Sequence, residues 1–175
     1  STGLDGKQYF VPQSWYPWGL HYRKSMVKEL GLDPENIATF DDMLKMFDAM
    51  KKKGLVGFAA GDKGGWEAMG TFDIINARVN GYQFHVDLLA GREKWTDARV
   101  IDVFKHWEML LPYTNKNVLD LEWDGAMQLL LQKKAGSTLM GSWFGGNFKE
   151  KSQEDYDDLW IVPFPEINPE HGVDT

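Results

Sequence analysis

A chain of 175 residues with 43% hydrophobic side chains can bury one core of ordinary size, and its net charge of −7 argues against nucleic acid or an anionic membrane surface, whose phosphates call for a basic face. The absence of cysteine removes disulfides, thiolate zinc sites and a cysteine nucleophile. No run approaches the roughly 18 consecutive apolar residues of a membrane-spanning helix.

In chain order, "KQYFVP" (7–12) is β-rich, stops at Pro12 and predicts a strand. "QSWYPWG" (13–19) predicts an aromatic loop containing Pro17 and Gly19. "LHYR" (20–23) predicts a strand, "KSMVKELG" (24–31) a short helix closed by Gly31, and "LDPENIA" a loop. Thr39 with Asp42 three residues on has the form of a capping box. Phe40, Met43, Leu44, Phe47 and Met50 then recur at helical spacing on one face. Lys51, Lys52 and Lys53 suit the negative end of the helix dipole, and Gly54 ends the helix. "LVGFAA" (55–60) predicts a short buried strand and "GDKGG" (61–65) a loop. A helix is expected from Trp66 to about Asn80, ending at Gly81, and a further one through "YQFHVDLLAG" (82–91).

Thr96-Asp97 caps the next predicted helix, with Val100, Ile101, Phe104, Trp107 and Leu111 as its apolar face and Pro112 as its stop. "LEWDGAMQLLLQKKAG" (121–136) predicts one more amphipathic helix, with Trp123, Met127 and Leu130 inward. "STLMGSW" (137–143) and "DLWIVPFP" (158–165) predict the last strands. There is no internal repeat. Helices around a few short, separated strands imply an α/β fold, helix-rich, with a small mixed sheet.

Motifs for catalysis, metals or cofactors do not emerge. "DLEWDG" (120–125) opens like a calcium loop, but the bidentate acid needed at the twelfth position is Leu131. His21, His85, His106 and His171 show no zinc spacing. "GDKGGWE" lacks both phosphate-binding glycine patterns, and Ser142 in "GSWFG" does not sit in a nucleophile elbow. Carboxylates are too plentiful, at 26, for their presence to decide anything.

The aromatic residues are more specific. Trp15, Tyr16 and Trp18 lie in "SWYPWG", Trp66 in "GGWEAM", and Trp143 with Phe144 in "GSWFGG", each beside glycine or proline at a predicted element end. A pyranose has an apolar C–H face rimmed by hydroxyls. A flat indole covers that face, while acids, amides and lysine take the rim. Strand-end loops of open α/β sheets are also where ligands sit. The alternative is that these rings only seal the loops. Asp62, Lys63 and Glu67 flank Trp66 and are candidates for the hydroxyls.

Taken in order, "GKQYFVP", "WGLHYRKSMVKELGL", "ATFDDMLKMFDAMKKKGLVGFAAGD", "GTFDIINARVNGYQFHVDLLAG", "LLLQKKAGSTLMGSW" and "LWIVPFP" resemble the family 1 extracellular solute-binding proteins of ABC importers. The resemblance covers nearly the whole chain. It implies a periplasmic-binding-protein-like (type II) lobe over residues 1–175, the second, C-terminal lobe of a two-lobe protein. The first lobe is expected before "GLDGK" and a return hinge strand after "FPEINPEHG". Hinge closure would trap the solute between the lobes.

The resemblance also implies a non-enzymatic sugar receptor outside the bacterial cytoplasm, periplasmic or tethered to the cell surface as a lipoprotein. Its partners would be a small-molecule sugar, the importer's membrane permease subunits and the first lobe. It carries Trp15, Tyr16, Trp66 and Trp143 over as ligand contacts, with Lys63 and Glu67 beside them, and no catalytic residue, metal or cofactor. "HYRK" replaces the usual "YYNK", which bears on local hydrogen bonding. Trp143 is expected at the end of a buried strand, with Phe144 turned into the core. Two rivals remain at this point: a glycoside-processing enzyme using an acid pair such as Asp62 and Glu67, and an interaction domain whose aromatics meet a protein partner.

Overall fold

The computed structural model describes residues 3, 5–11, 14 and 16–173. The elements in order are β1 (Trp18–Arg23), α1 (Lys24–Glu29), α2 (Phe40–Lys52), β2 (Val56–Ala59), α3 (Trp66–Leu89), α4 (Ala98–Glu108), α5 (Trp123–Leu131), β3 (Ala135–Gly141), α6 (Trp143–Lys151), α7 (Gln153–Asp158) and β4 (Leu159–Pro163). Short 3₁₀ turns at Leu111–Tyr113 and Val118–Asp120 join α4 to α5. The four strands form one mixed sheet in the order β2-β3-β1-β4. β2 and β3 run parallel, and β1 is antiparallel to both β3 and β4. This is the helix-rich α/β unit with a small mixed sheet that the sequence predicts.

The sheet separates two apolar layers. Leu20, Tyr22, Phe58 and Leu139 pack with Met43, Phe47 and Met50 of α2, Ile75 of α3 and Val103 of α4. Ala135 and Met140 pack with Met127 and Leu130 of α5 and Phe144 and Phe148 of α6. Hydroxyls on the central strand find partners across the parallel pair: Ser137 donates to the Gly57 carbonyl and Thr138 to that of Ala59 at 2.8 Å. A buried polar side chain on a central strand is tolerable only when paired in this way.

α2 begins as its sequence requires. The Thr39 hydroxyl accepts from the Asp42 N–H at 3.2 Å, and the Asp42 carboxylate accepts from the Thr39 N–H at 3.3 Å, completing the capping box. Thr39→Ala is expected to cost about 1 kcal/mol. In a chain of this size that is a fall of roughly 2–4 °C in Tm, readable in a thermal melt.

The run Trp66–Leu89 is two helical pieces joined at Gly81, as predicted, because Gly81 has φ 81° and ψ 160°. The break frees carbonyls in the preceding turn, and Asn168 takes them: its N–H donates to the Arg78 carbonyl at 3.2 Å and its side-chain amide to that of Val79 at 3.4 Å. The His171 ring lies directly against Gly81.

Three expectations are corrected. Residues 7–11 of "KQYFVP" form no strand and hold an isolated bridge at Gln8; Tyr9, Phe10 and Val11 are exposed (Pro12 lies outside the described residues). On α4 the buried residues are Val100 and Val103, while Ile101, Phe104 and Leu111 are more than half exposed. The helix is therefore rotated relative to the predicted face, and it ends at Glu108, before Pro112 enters the first 3₁₀ turn. Only residues 143–146 of "GSWFGG" belong to α6, and β3 stops at Gly141, so Trp143 opens a helix instead of closing a strand.

Candidate functional site

Three helices open on a tryptophan: α3 on Trp66, α5 on Trp123 and α6 on Trp143. Strand β1 opens on Trp18. The topology brings these four together. Because β2 and β3 are parallel, Ala59 and Gly141 end at one edge of the sheet, and α3 and α6 start from there. Because β1 is antiparallel to β3, its first residue pairs with the last residue of β3, Trp18 with Gly141. The loop before α3 is tied to the approach of α5, since the Asp62 N–H donates to the Val118 carbonyl at 2.8 Å and the Lys63 N–H to that of Leu121 at 2.9 Å.

The indoles form a continuous row. Trp18 meets Trp66 edge-on at 6.1 Å between ring centroids, Trp66 lies tilted by 38° against Trp143 at 6.2 Å, and Trp123 stands edge-on to Trp143 at 4.7 Å. Edge-to-face and tilted pairs at these separations are attractive, and all four rings also pack against the core beneath them. Glycines let the rings lie on backbone. A Cβ on Gly141 would come within 2.5 Å of the Trp143 Nε1, and one on Gly70 within 2.5 Å of the Trp18 ring. Trp66 and Trp143 are each half-buried, which leaves part of both indoles open to solvent.

Acids surround the row. The Asp62 carboxylate accepts from the Ala68 N–H at 2.9 Å and so caps α3. Glu67 is only 5% exposed, and neither of its carboxyl oxygens has a hydrogen-bond partner among the described residues. Burial pushes its pKa up, and the neighbouring Asp62 and Glu122 carboxylates push it further. Beneath the row, on β1, buried His21 packs against Phe144 and donates from Nδ1 to the Gly19 carbonyl at 3.0 Å. Burial lowers its pKa to about 4.

These two groups bend the stability curve at opposite ends. His21 binds more protons unfolded than folded, so stability is lost as pH falls from its ordinary 6.5 towards 4. Glu67 binds more protons folded, so stability is lost as pH rises from 4.5 through its raised pKa. Glu67→Gln, which keeps the shape and removes the charge, is expected to raise Tm at pH 7 and to flatten its decline above pH 4.5. Melting curves across that range check it.

Of the predicted site residues, the fold brings Trp66 and Trp143 together. Phe144, as expected, is fully buried behind Trp143. Glu67 lies beneath the surface near the row, and the Lys63 side chain is exposed. Tyr16 is 55% exposed and lines a separate groove with Trp18; Trp15 lies outside the described residues. Sequence reasoning placed Trp18 in the aromatic loop without carrying it over as a contact, and left out Trp123. The signal that could have found Trp123 is its position: like Trp66, it follows a Gly- or acid-rich stretch at a helix start.

The model of the bacterial extracellular solute-binding protein family matches residues 1–175, and the chain belongs to that family. Among its relatives is an uncharacterized ABC transporter extracellular-binding protein of Pyrococcus horikoshii, 30% identical over 144 residues, which cover 82% of this chain and 33% of the relative. A probable sugar-binding periplasmic protein of Rhizobium meliloti is 25% identical over 133 residues, 73% of this chain and 31% of the relative. Among solved structures, the bacterial solute receptor AcbH, described as having an exclusive preference for β-D-galactopyranose, superposes with a TM-score of 0.87 at 38% identity, over 99% of this chain and 43% of its own. A chitin oligosaccharide binding protein shares the fold, with a TM-score of 0.85 at 24% identity. The chain thus spans about a third of the curated relatives named here.

Proposed function

We propose that this chain is the second, C-terminal lobe of a two-lobe receptor that binds a carbohydrate without chemical change and delivers it to an ABC importer. The observation that carries the proposal is the Trp66–Trp143 pair, two half-open indoles fixed at the sheet edge by Trp18 and Trp123. A neutral ring with one apolar face is the ligand such a surface suits. The sugar named for AcbH and the sugar-binding description of the Rhizobium relative support the same class. The site works from outside the cytoplasm, where the family's members act, with the first lobe and the permease subunits as partners. The first lobe supplies the other wall and, on closing, excludes water.

The glycoside-processing alternative draws no support from the geometry. Asp62 is engaged as a helix cap, and the Glu67 carboxyl is buried. Calorimetric titration with a panel of neutral pyranoses tests the proposal. The two-lobe protein is expected to bind at least one of them, and the 175-residue chain much more weakly, because half the contacts are missing. No heat with any sugar, or sugar turnover abolished by Glu67→Gln, contradicts it.

A further inference from the structure

Helix α4 carries more apolar surface than the core takes. Val100 and Val103 are buried, while Ile101 and Phe104, one residue on from each, stand more than half exposed. Leu111, also exposed, extends their line seven residues beyond Phe104. The line runs into an aromatic cluster. Trp95 and Phe104 both pack on Phe72, at 5.4 and 5.5 Å between ring centroids, and Phe104 stacks on Trp107. Trp95 is more than half exposed as well. Half of an aromatic side chain is about 100 Å², so Trp95, Ile101, Phe104 and Leu111 together leave roughly 350–400 Å² of apolar surface in one patch. A contiguous patch of that size marks an interaction site.

The charges around the patch single out its occupant. Arg92 is paired with Asp87, Arg99 with Asp97 and Glu93, and Lys105 with Asp102. Two exposed charges here have no ion pair among the described residues: Lys94, next to Trp95, and Glu108, on the line between Phe104 and Leu111. They are opposite in sign and flank the two ends of α4, with Ile101 and Phe104 between them. A fitting partner therefore brings an apolar stripe with an anion for one end and a cation for the other. The patch is its own complement.

We infer that this face of α4 is the interface with a second copy of the same chain, the two α4 helices crossing antiparallel about a two-fold axis near Ile101 and Phe104. A two-fold contact sets a surface against itself reversed, so Lys94 of each copy meets Glu108 of the other. The area agrees. A standard interface takes about 800 Å² from each partner, about 56–65% of it apolar, and the patch supplies most of that apolar share.

Sedimentation equilibrium of the full-length protein tests the inference, with Lys94→Glu, Glu108→Lys and the variant carrying both changes. Both side chains are exposed, so the core is untouched. The parent is expected to be dimeric at about 100 μM. Each single reversal sets like charges against each other twice and is expected to weaken the dimer at least about tenfold. The double variant restores opposite charges and is expected to recover the parent's affinity. A parent that stays monomeric overturns the inference, including the case in which the first lobe covers this face. A dimer that both single reversals leave intact, or that the double variant fails to recover, overturns it too. The four tryptophans of the row lie outside the patch, so the sugar proposal stands or falls separately.

Discussion

Gly81→Ala is expected to lower Tm by roughly 6–12 °C. Two costs combine. At φ 81° and ψ 160° the backbone is in a region open in practice only to glycine, and forcing another residue there costs about 1–3 kcal/mol. The added Cβ would also sit 2.8 Å from the Nδ1 of His171, whose partly buried ring has to shift, a cost at the low end of overpacking, about 1 kcal/mol. Together they come to about 3 kcal/mol, and a chain of this length loses roughly 2–4 °C for each. Straightening α3 offers no escape, because it would pull the Arg78 carbonyl from the Asn168 N–H. A Gly81→Ala, His171→Ala double variant is expected to recover the steric share only. Thermal melts of the three proteins separate the contributions; an unchanged Tm for Gly81→Ala contradicts the assigned backbone.

Trp143→Ala is expected to weaken sugar binding by about 30-fold or more, the largest effect on function. A central aromatic anchor is commonly worth about 2 kcal/mol or more on truncation, and each 1.4 kcal/mol is about tenfold in affinity. Here the loss exceeds one platform, because Trp143 stands between Trp66 and Trp123 and removing it frees both rings. Trp143→Phe keeps a flat ring and is expected to recover part of the affinity. Some stability is lost as well, so the comparison is made below the melting range of all forms. Undiminished binding by Trp143→Ala would place the ligand elsewhere.

Much of the fold was legible because its signals are local. Thr39 and Asp42 announced α2, and Gly81 announced the break in α3 through a backbone need that no partner supplies. The errors lie where tertiary contact decides. Nothing in "KQYFVP" states whether a neighbouring strand will pair with it, and among the described residues none does beyond a single bridge. On α4, Val103 and Phe104 both fit a helical stripe; packing against α3 selects Val103 and leaves Phe104 half out, stacked on Trp107 and touching Phe72. "GSWFGG" reads as a loop because glycines weaken helices, yet the end of β3 and the burial of Phe144 and Phe148 fold its residues 143–146 into α6.

The site was half legible for the same reason. Trp66 and Trp143 stood out beside their glycines. Trp123 looked like an ordinary inward residue of an amphipathic helix, and only the convergence of three helix starts reveals it as the brace of Trp143. Glu67 appeared in the sequence as an available acid; its burial is a property of the packed helix end.

The most direct test of the account is a crystal structure of the two-lobe protein with its sugar bound. The account predicts the apolar face of one sugar ring in van der Waals contact with the indoles of Trp66 and Trp143, with Trp18 and Trp123 unmoved behind them. A sugar bound away from both indoles, or a Trp66–Trp143 pair covered by protein in the liganded state, would contradict it.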